Sequence, residues 1–235
     1  MPASIVRAVA VASLLLLSGR AFAAEPVRQI GIYVQPYYEA ARTPGGQPRV
    51  AVGREFSALL ASNRREDILA VRDRIAAKPG TVTPMTLMVL AIRLYEVGLC
   101  DDAVFWFYVA KERAIVISEV LDMRVRGLAQ ADEAARNFSV LAGPVINGYA
   151  FCDLAKQQKQ HAESIAWVEQ HPYEVMFMQR LPALPGDRAE NHKRALANAK
   201  MRAEKERAYF ADAKNAADFA AARRRNEADA KFCWK

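Results

Sequence analysis

The chain has 235 residues, 33 Lys and Arg against 26 Asp and Glu, a sequence pI near 9.4, 52% hydrophobic residues and three cysteines. That balance excludes a disordered acidic or low-complexity chain and leaves enough apolar residues to bury one substantial core. Excess positive charge is confined to the end: residues 188–235 hold 13 Lys and Arg against 7 acids, whereas 24–187 hold 18 against 19.

Arg7 precedes an apolar run from Ala8 to Leu17, and small residues follow at Ala21 and Ala23. This is the layout of a secretory signal, with cleavage expected after Ala23. The run is about half of the ~20 residues a membrane span needs, so a permanent anchor is disfavoured. No cysteine lies just beyond it to carry a lipid. The expected arrangement is a signal peptide at 1–23, a helical domain at 24–186 and a basic helical extension at 187–235, periplasmic or secreted, with no transmembrane segment after signal removal.

Ile30, Ile32 and Val34 alternate, as do Val50 and Val52, and Thr43–Pro48 between them is turn chemistry. A small N-terminal β-hairpin fits this pattern, as does an irregular arm laid over helices. Beyond Gly53 the apolar period changes to 3.6. Helices are predicted over Arg54–Ser62 and, from a cap at Asn63 with Glu66, over Arg64–Lys78. Thr83 as N-cap and Pro84 at the first helical position begin the next, which runs to Gly98. Asp101 is expected to cap a helix from Asp102 to about Ser118. Phe105, Trp106, Phe107 and Tyr108 occupy one turn of it, which places that helix at the centre of the core.

Further on, a polar stretch over 122–131 is expected to precede a helix from Asp132 to Ala142, ended by Gly143-Pro144. Another helix should then run from near Val145 or Gly148 to His171-Pro172. A short piece follows around Tyr173 to Arg180, and Leu181 to Gly186 reads as a rigid linker. Asp187 with Glu190 repeats the capping spacing, and one long C-terminal helix is predicted almost to the end, docking, protruding or pairing with another chain. The fold class is therefore mainly α, a multi-helix domain.

Ala91, Leu94-Tyr95, Gly98, Ala103, Phe107 and Ala110 stand at spacings that resemble a Sel1-like or tetratricopeptide helix pair over about residues 84–118. The resemblance implies an antiparallel helical hairpin with small residues where the backbones approach. No second copy appears at a fixed period, and a solenoid needs about three units to cover its faces.

Cysteines that enter an oxidising compartment form bridges. Cys100 and Cys152, each at the edge of a predicted core helix, are the first-choice pair, Cys233 being left over; sequence leaves all three pairings open. No cofactor or metal is implied: paired C-x-x-C spacing, H-E-x-x-H, G-x-S-x-G and P-loop motifs are missing. His161, His171 and His192 lie far apart, and His161 is expected to face solvent. Candidate interaction residues are Trp106, Tyr108, Arg223, Arg224, Arg225 and Trp234. They point to a non-enzymatic binder or adaptor, one version being immunity-like, whose partner is another protein of the envelope or periplasm. Nucleic acid is disfavoured by export. Two alternatives stand beside it: an envelope hydrolase whose carboxylates converge only in the fold, and a binder of anionic envelope surfaces through the basic tail.

Overall fold

The computed structural model describes residues 26–30 and 53–234. The expected signal and nearly all of the expected N-terminal hairpin fall outside those residues. Among the described residues the architecture is mainly α, with nine α-helices, one 3₁₀ turn and no strand. In chain order they are α1 (Ser57–Leu60), α2 (Arg65–Ala77), α3 (Pro84–Glu96), α4 (Cys100–Ser118), α5 (Arg126–Ala150) and α6 (Leu154–Gln170). After the 3₁₀ turn Glu174–Phe177 come α7 (Arg188–Ala211), α8 (Ala213–Arg225) and α9 (Ala228–Phe232).

The hairpin α3–α4 is the centre. Thr83 Oγ1 accepts from the Thr86 N–H at 3.2 Å, Pro84 follows, and every residue from Met85 to Tyr95 is buried. A helix apolar on all sides needs neighbours on all sides. It gets them from α1 and α2 on one flank, α4 on another and α5 across the remainder. Gly98, at φ +81°, takes the left-handed conformation that ends the helix and turns the chain into α4. The aromatic turn of α4 is central as expected, with Trp106, Phe107 and Tyr108 all buried and Trp106 edge-on to Trp167 of α6 at 5.2 Å.

Buried Arg113 of α4 fastens three segments. Its guanidinium donates to the carbonyls of Pro79, Val82 and His171 at 2.9, 2.9 and 2.7 Å and lies over the Trp167 ring. Pro79 and His171 stand at the carboxyl ends of α2 and α6, where unpaired carbonyls carry partial negative charge, so a cation suits both. Burial pulls the Arg113 pKa down to about 10 and still leaves it charged at neutral pH.

Four boundaries differ from expectation. Helix α4 starts at Cys100, and Asp101 does not cap it: its carboxylate takes the Tyr149 hydroxyl at 2.9 Å and Lys156 at 2.6 Å. Helix α5 begins at Arg126, inside the expected polar stretch, and runs straight through Gly143-Pro144. Proline removes the hydrogen bond to the Val140 carbonyl. Val140 is 75% exposed, so water can take that acceptor, while burial of Ala142, Gly143 and Ile146 holds the helix together. The break comes instead at 151–153, where Asp153 caps α6 by accepting from Lys156 N–H.

The fourth difference is the C-terminal segment. Asp187 accepts from the N–H groups of Ala189 and Glu190 as expected. The predicted single helix, however, is broken at Asp212, whose side chain caps α8 by accepting from Asn215 N–H at 2.9 Å. A left-handed residue at Glu227 then turns the chain into α9. As one rod the segment would reach roughly 65 Å. Broken twice, it docks: α7 on α4 and α6, and α9 against α5 and α8.

That fold-back corrects the expected cysteine pairing. The bridge joins Cys152 to Cys233, with Cα atoms 5.7 Å apart, and Cys100 is a buried free thiol. Burial, with Asp101 beside it, pushes the Cys100 pKa up to about 12, so it is an inert core residue. In the chain-entropy picture a bridge over 81 residues contributes about 4.5 kcal/mol. Around it the two ends of the described chain meet. Trp234 Nε1 donates to the Tyr95 hydroxyl at 3.0 Å, that hydroxyl donates to the Val27 carbonyl at 2.8 Å, and Arg28 lies over the Trp234 ring. Phe232 packs so closely on Gly148 that a Cβ there would sit 2.5 Å from its ring.

Candidate functional site

Two places on α4 concentrate chemistry, on different faces. The first is a charged knot between α4, α6 and α7. Glu112 and Glu119 are seven residues apart on α4, Gln157 and His161 four apart on α6, and Arg202 and Glu206 four apart on α7, so each pair shares a helix face. His161 does not face solvent as the sequence suggested. Its side chain is 13% exposed, with Nε2 3.1 Å from Glu112 and Nδ1 3.2 Å from Glu206. Arg202 reaches both Glu112 and Glu119, at 3.2 and 3.1 Å. Gln157 donates to Glu206 and to the Tyr108 hydroxyl, which in turn donates to Asn147 of α5.

Burial opposes charge on His161, but the two carboxylates outweigh it and push the imidazole up to about 9. Glu112 is likewise opposed by burial and is held below the usual carboxylate range by His161 and Arg202. For Glu206 the hydrogen bond to His161 is the main cause of a lowered pKa. All three groups are therefore charged at neutral pH. A general base or acid works best with a pKa near the working pH and an open lone pair or proton. Here every ring nitrogen and both carboxylates face one another, which makes a brace between helices. Sequence motifs could not reveal it because His161 and Glu112 are 49 residues apart. One signal was present: Glu112 stands on the buried side of α4, between Val109 and Val116.

The second place is a furrow between the C-terminal half of α4 and the N-terminal half of α5. On α4 the facing residues are Ala110, Ala114 and Ser118, and on α5 Ala131, Ala135 and Ser139, each set at intervals of four. Side chains this short leave the space between the helices unfilled. Two adjoining cavities result, about 280 and 180 Å3, both bordered by Ala114, Asp132 and Ala135. Met85, Ile117, Leu121 and Leu128 deepen the second. One carboxylate, Asp132, borders both cavities with its side chain only 13% exposed and pairs with exposed Arg136, while Lys111 lies over Phe107 and Tyr108. From Leu128 to Ser139 the furrow extends roughly 16 Å along α5.

The sequence-chosen interaction residues lie elsewhere. Trp106 and Tyr108 are buried in the core and present no surface. Trp234 is packed against Tyr95. Arg223 is folded in beside the bridge, donating to Asp229 and to the Gly148 carbonyl, with Nη2 3.6 Å from both sulfurs. Arg224 and Arg225 are exposed. Among the described residues no three His, Cys, Asp or Glu side chains are arranged to hold a metal ion, and no helix is long and apolar enough to cross a membrane.

Fold and site together define a class: a mainly α chain whose described residues form a charge-braced, disulfide-fastened core with an apolar furrow along its central helix. The chain belongs to the same family as an uncharacterized protein of Haemophilus influenzae (strain ATCC 51907 / DSM 11121 / KW20 / Rd), to which it is 32% identical over 224 residues, 95% of this chain and 86% of that protein. No family model and no solved structure matches it.

Proposed function

We propose that the mature chain is a non-enzymatic binding module of the periplasm or the secreted fraction, and that the α4–α5 furrow takes an apolar segment of another envelope protein. The furrow carries this reading: apolar side chains there border open space rather than one another, so an incoming apolar side chain gains burial by releasing only water. Export is supported by the leader pattern of residues 1–23 and by a bridge of the kind that persists in oxidising compartments. The helix-pair resemblance at 84–118 fits a binding scaffold as well. An envelope hydrolase is the weaker reading, because Glu112 and Glu206, the carboxylates that converge on one buried group, are neutralised by His161 and Arg202.

The test fills the furrow. Ala114→Leu should leave the fold intact and abolish recovery of the partner by cross-linking in a periplasmic extract, whereas Lys214→Leu, far from the furrow, should not. Equal recovery by the native chain and Ala114→Leu would remove the furrow from the function.

A further inference from the structure

A different corner carries an inference independent of the furrow. Where α7 meets α8, the rings of Phe151, Phe210 and Phe219 pack against one another with centroids 5.0–5.8 Å apart. All three are half-buried and line a cavity of about 400 Å3, within the range of small-ligand pockets. Arg223, Arg224 and Asp229 stand at its edge.

An aromatic pocket alone would suit a cation, whose charge is drawn to ring faces. The edge reverses that preference. Asp229 is taken by Arg223, and Arg223 is held in place by the Gly148 carbonyl, with its guanidinium 5.9 Å from the Phe219 ring centre. Arg224 is exposed and makes no side-chain hydrogen bond or ion pair with any described residue. Two guanidinium groups against one committed carboxylate leave net positive charge and a free donor fork over an apolar floor. Guanidinium forks match carboxylate and phosphate oxygens two at a time.

We propose that this pocket binds an anion carried on an apolar tail, an acyl carboxylate or the phosphate end of a lipid, with the tail among the three phenylalanine rings and the anion on the Arg224 fork, within the positive field that Arg223 adds. The bridge Cys152–Cys233 borders the pocket and holds α8 in register with residue 151, so the site exists in the oxidised, docked form of the C-terminal segment.

Calorimetric titration of the disulfide-intact chain with laurate should give one site of micromolar affinity. Dodecanol, the same tail without the anion, should bind at least tenfold more weakly. Arg224→Gln, at an exposed position, should keep the melting temperature and lose at least fivefold in laurate affinity; Ala216→Trp, which fills the pocket, should abolish binding. Ala114→Leu should leave it unchanged. No laurate binding, equal affinity for dodecanol, indifference to Arg224→Gln or Ala216→Trp, or loss in Ala114→Leu would each overturn the proposal. Vesicles separate the two sources. Laurate-competed association with phosphatidylglycerol but not phosphatidylcholine vesicles assigns the anion to a membrane lipid, and laurate binding without vesicle association assigns it to a free acid.

Discussion

Helix α4 has two working faces, and they solve opposite problems. Toward α6 and α7 it presents Tyr108, Glu112 and Glu119, each satisfied by a named partner on another helix. Toward the first half of α5 it presents Ala110, Ala114 and Ser118 to a furrow that nothing in the described chain fills. Paired charges in a low-dielectric interior fix one arrangement, even though Gln157 Oε1 and Arg202 Nε of the same knot are buried without a hydrogen-bond partner. Short apolar side chains fix little and leave dispersion contacts unmade. The two faces differ within one helix: the braced face sets where α4 stands, and the bare face leaves open space beside it.

The sharpest way to break the comparison is on the braced side. Glu112→Ala leaves His161 with Glu206 alone and Arg202 with Glu119 alone, and it should lower unfolding stability by about 2 kcal/mol in urea titration. A loss below 1 kcal/mol would mean that the brace is decorative. Next comes pH. The folded pKa of His161 is raised from 6.5 to about 9, so its contribution is complete below pH 6.5, declines as pH rises and is gone above about 9. Glu112 and Glu206 are lowered from 4.5, so theirs is complete above pH 4.5 and lost as pH falls through their folded values. The knot's own contribution to stability should therefore be greatest between pH 4.5 and 6.5, and His161→Gln should shrink the decline in melting temperature from pH 6.5 to 9.

On the bare side the sign reverses. Ala114→Leu should stabilise by about 1–2 kcal/mol, because the added carbons enter existing space; a destabilisation would show that the furrow is tighter than its volume indicates. Arg136→Ala takes an exposed guanidinium from the largely buried Asp132 carboxylate and should lower stability by about 1 kcal/mol in the same titration.

Local chemistry was legible in the sequence where one residue decides the outcome alone. Thr83-Pro84 starts α3, Gly98 ends it, and Asp187 caps α7, because each acts on backbone groups within a few positions. The aromatic turn of α4 revealed a central helix for a similar reason: no single interface could cover it. Outcomes that need a distant segment were illegible. Pro144 stays helical because α5 is buried beyond it, Asp212 breaks a helix that propensity alone would continue, and the Cys233 partner follows from that break. The knot joins three helices that no local spacing connects, and the furrow is defined by short side chains on two elements whose registry only the fold supplies.

The Cys152–Cys233 bridge reaches across 81 residues, from the end of α9 back to the turn between α5 and α6. Helices α6, α7 and α8 all lie inside the covalent loop it closes. A single cut of the backbone anywhere in that loop therefore leaves one connected molecule, which comes apart into two pieces only when the disulfide is reduced.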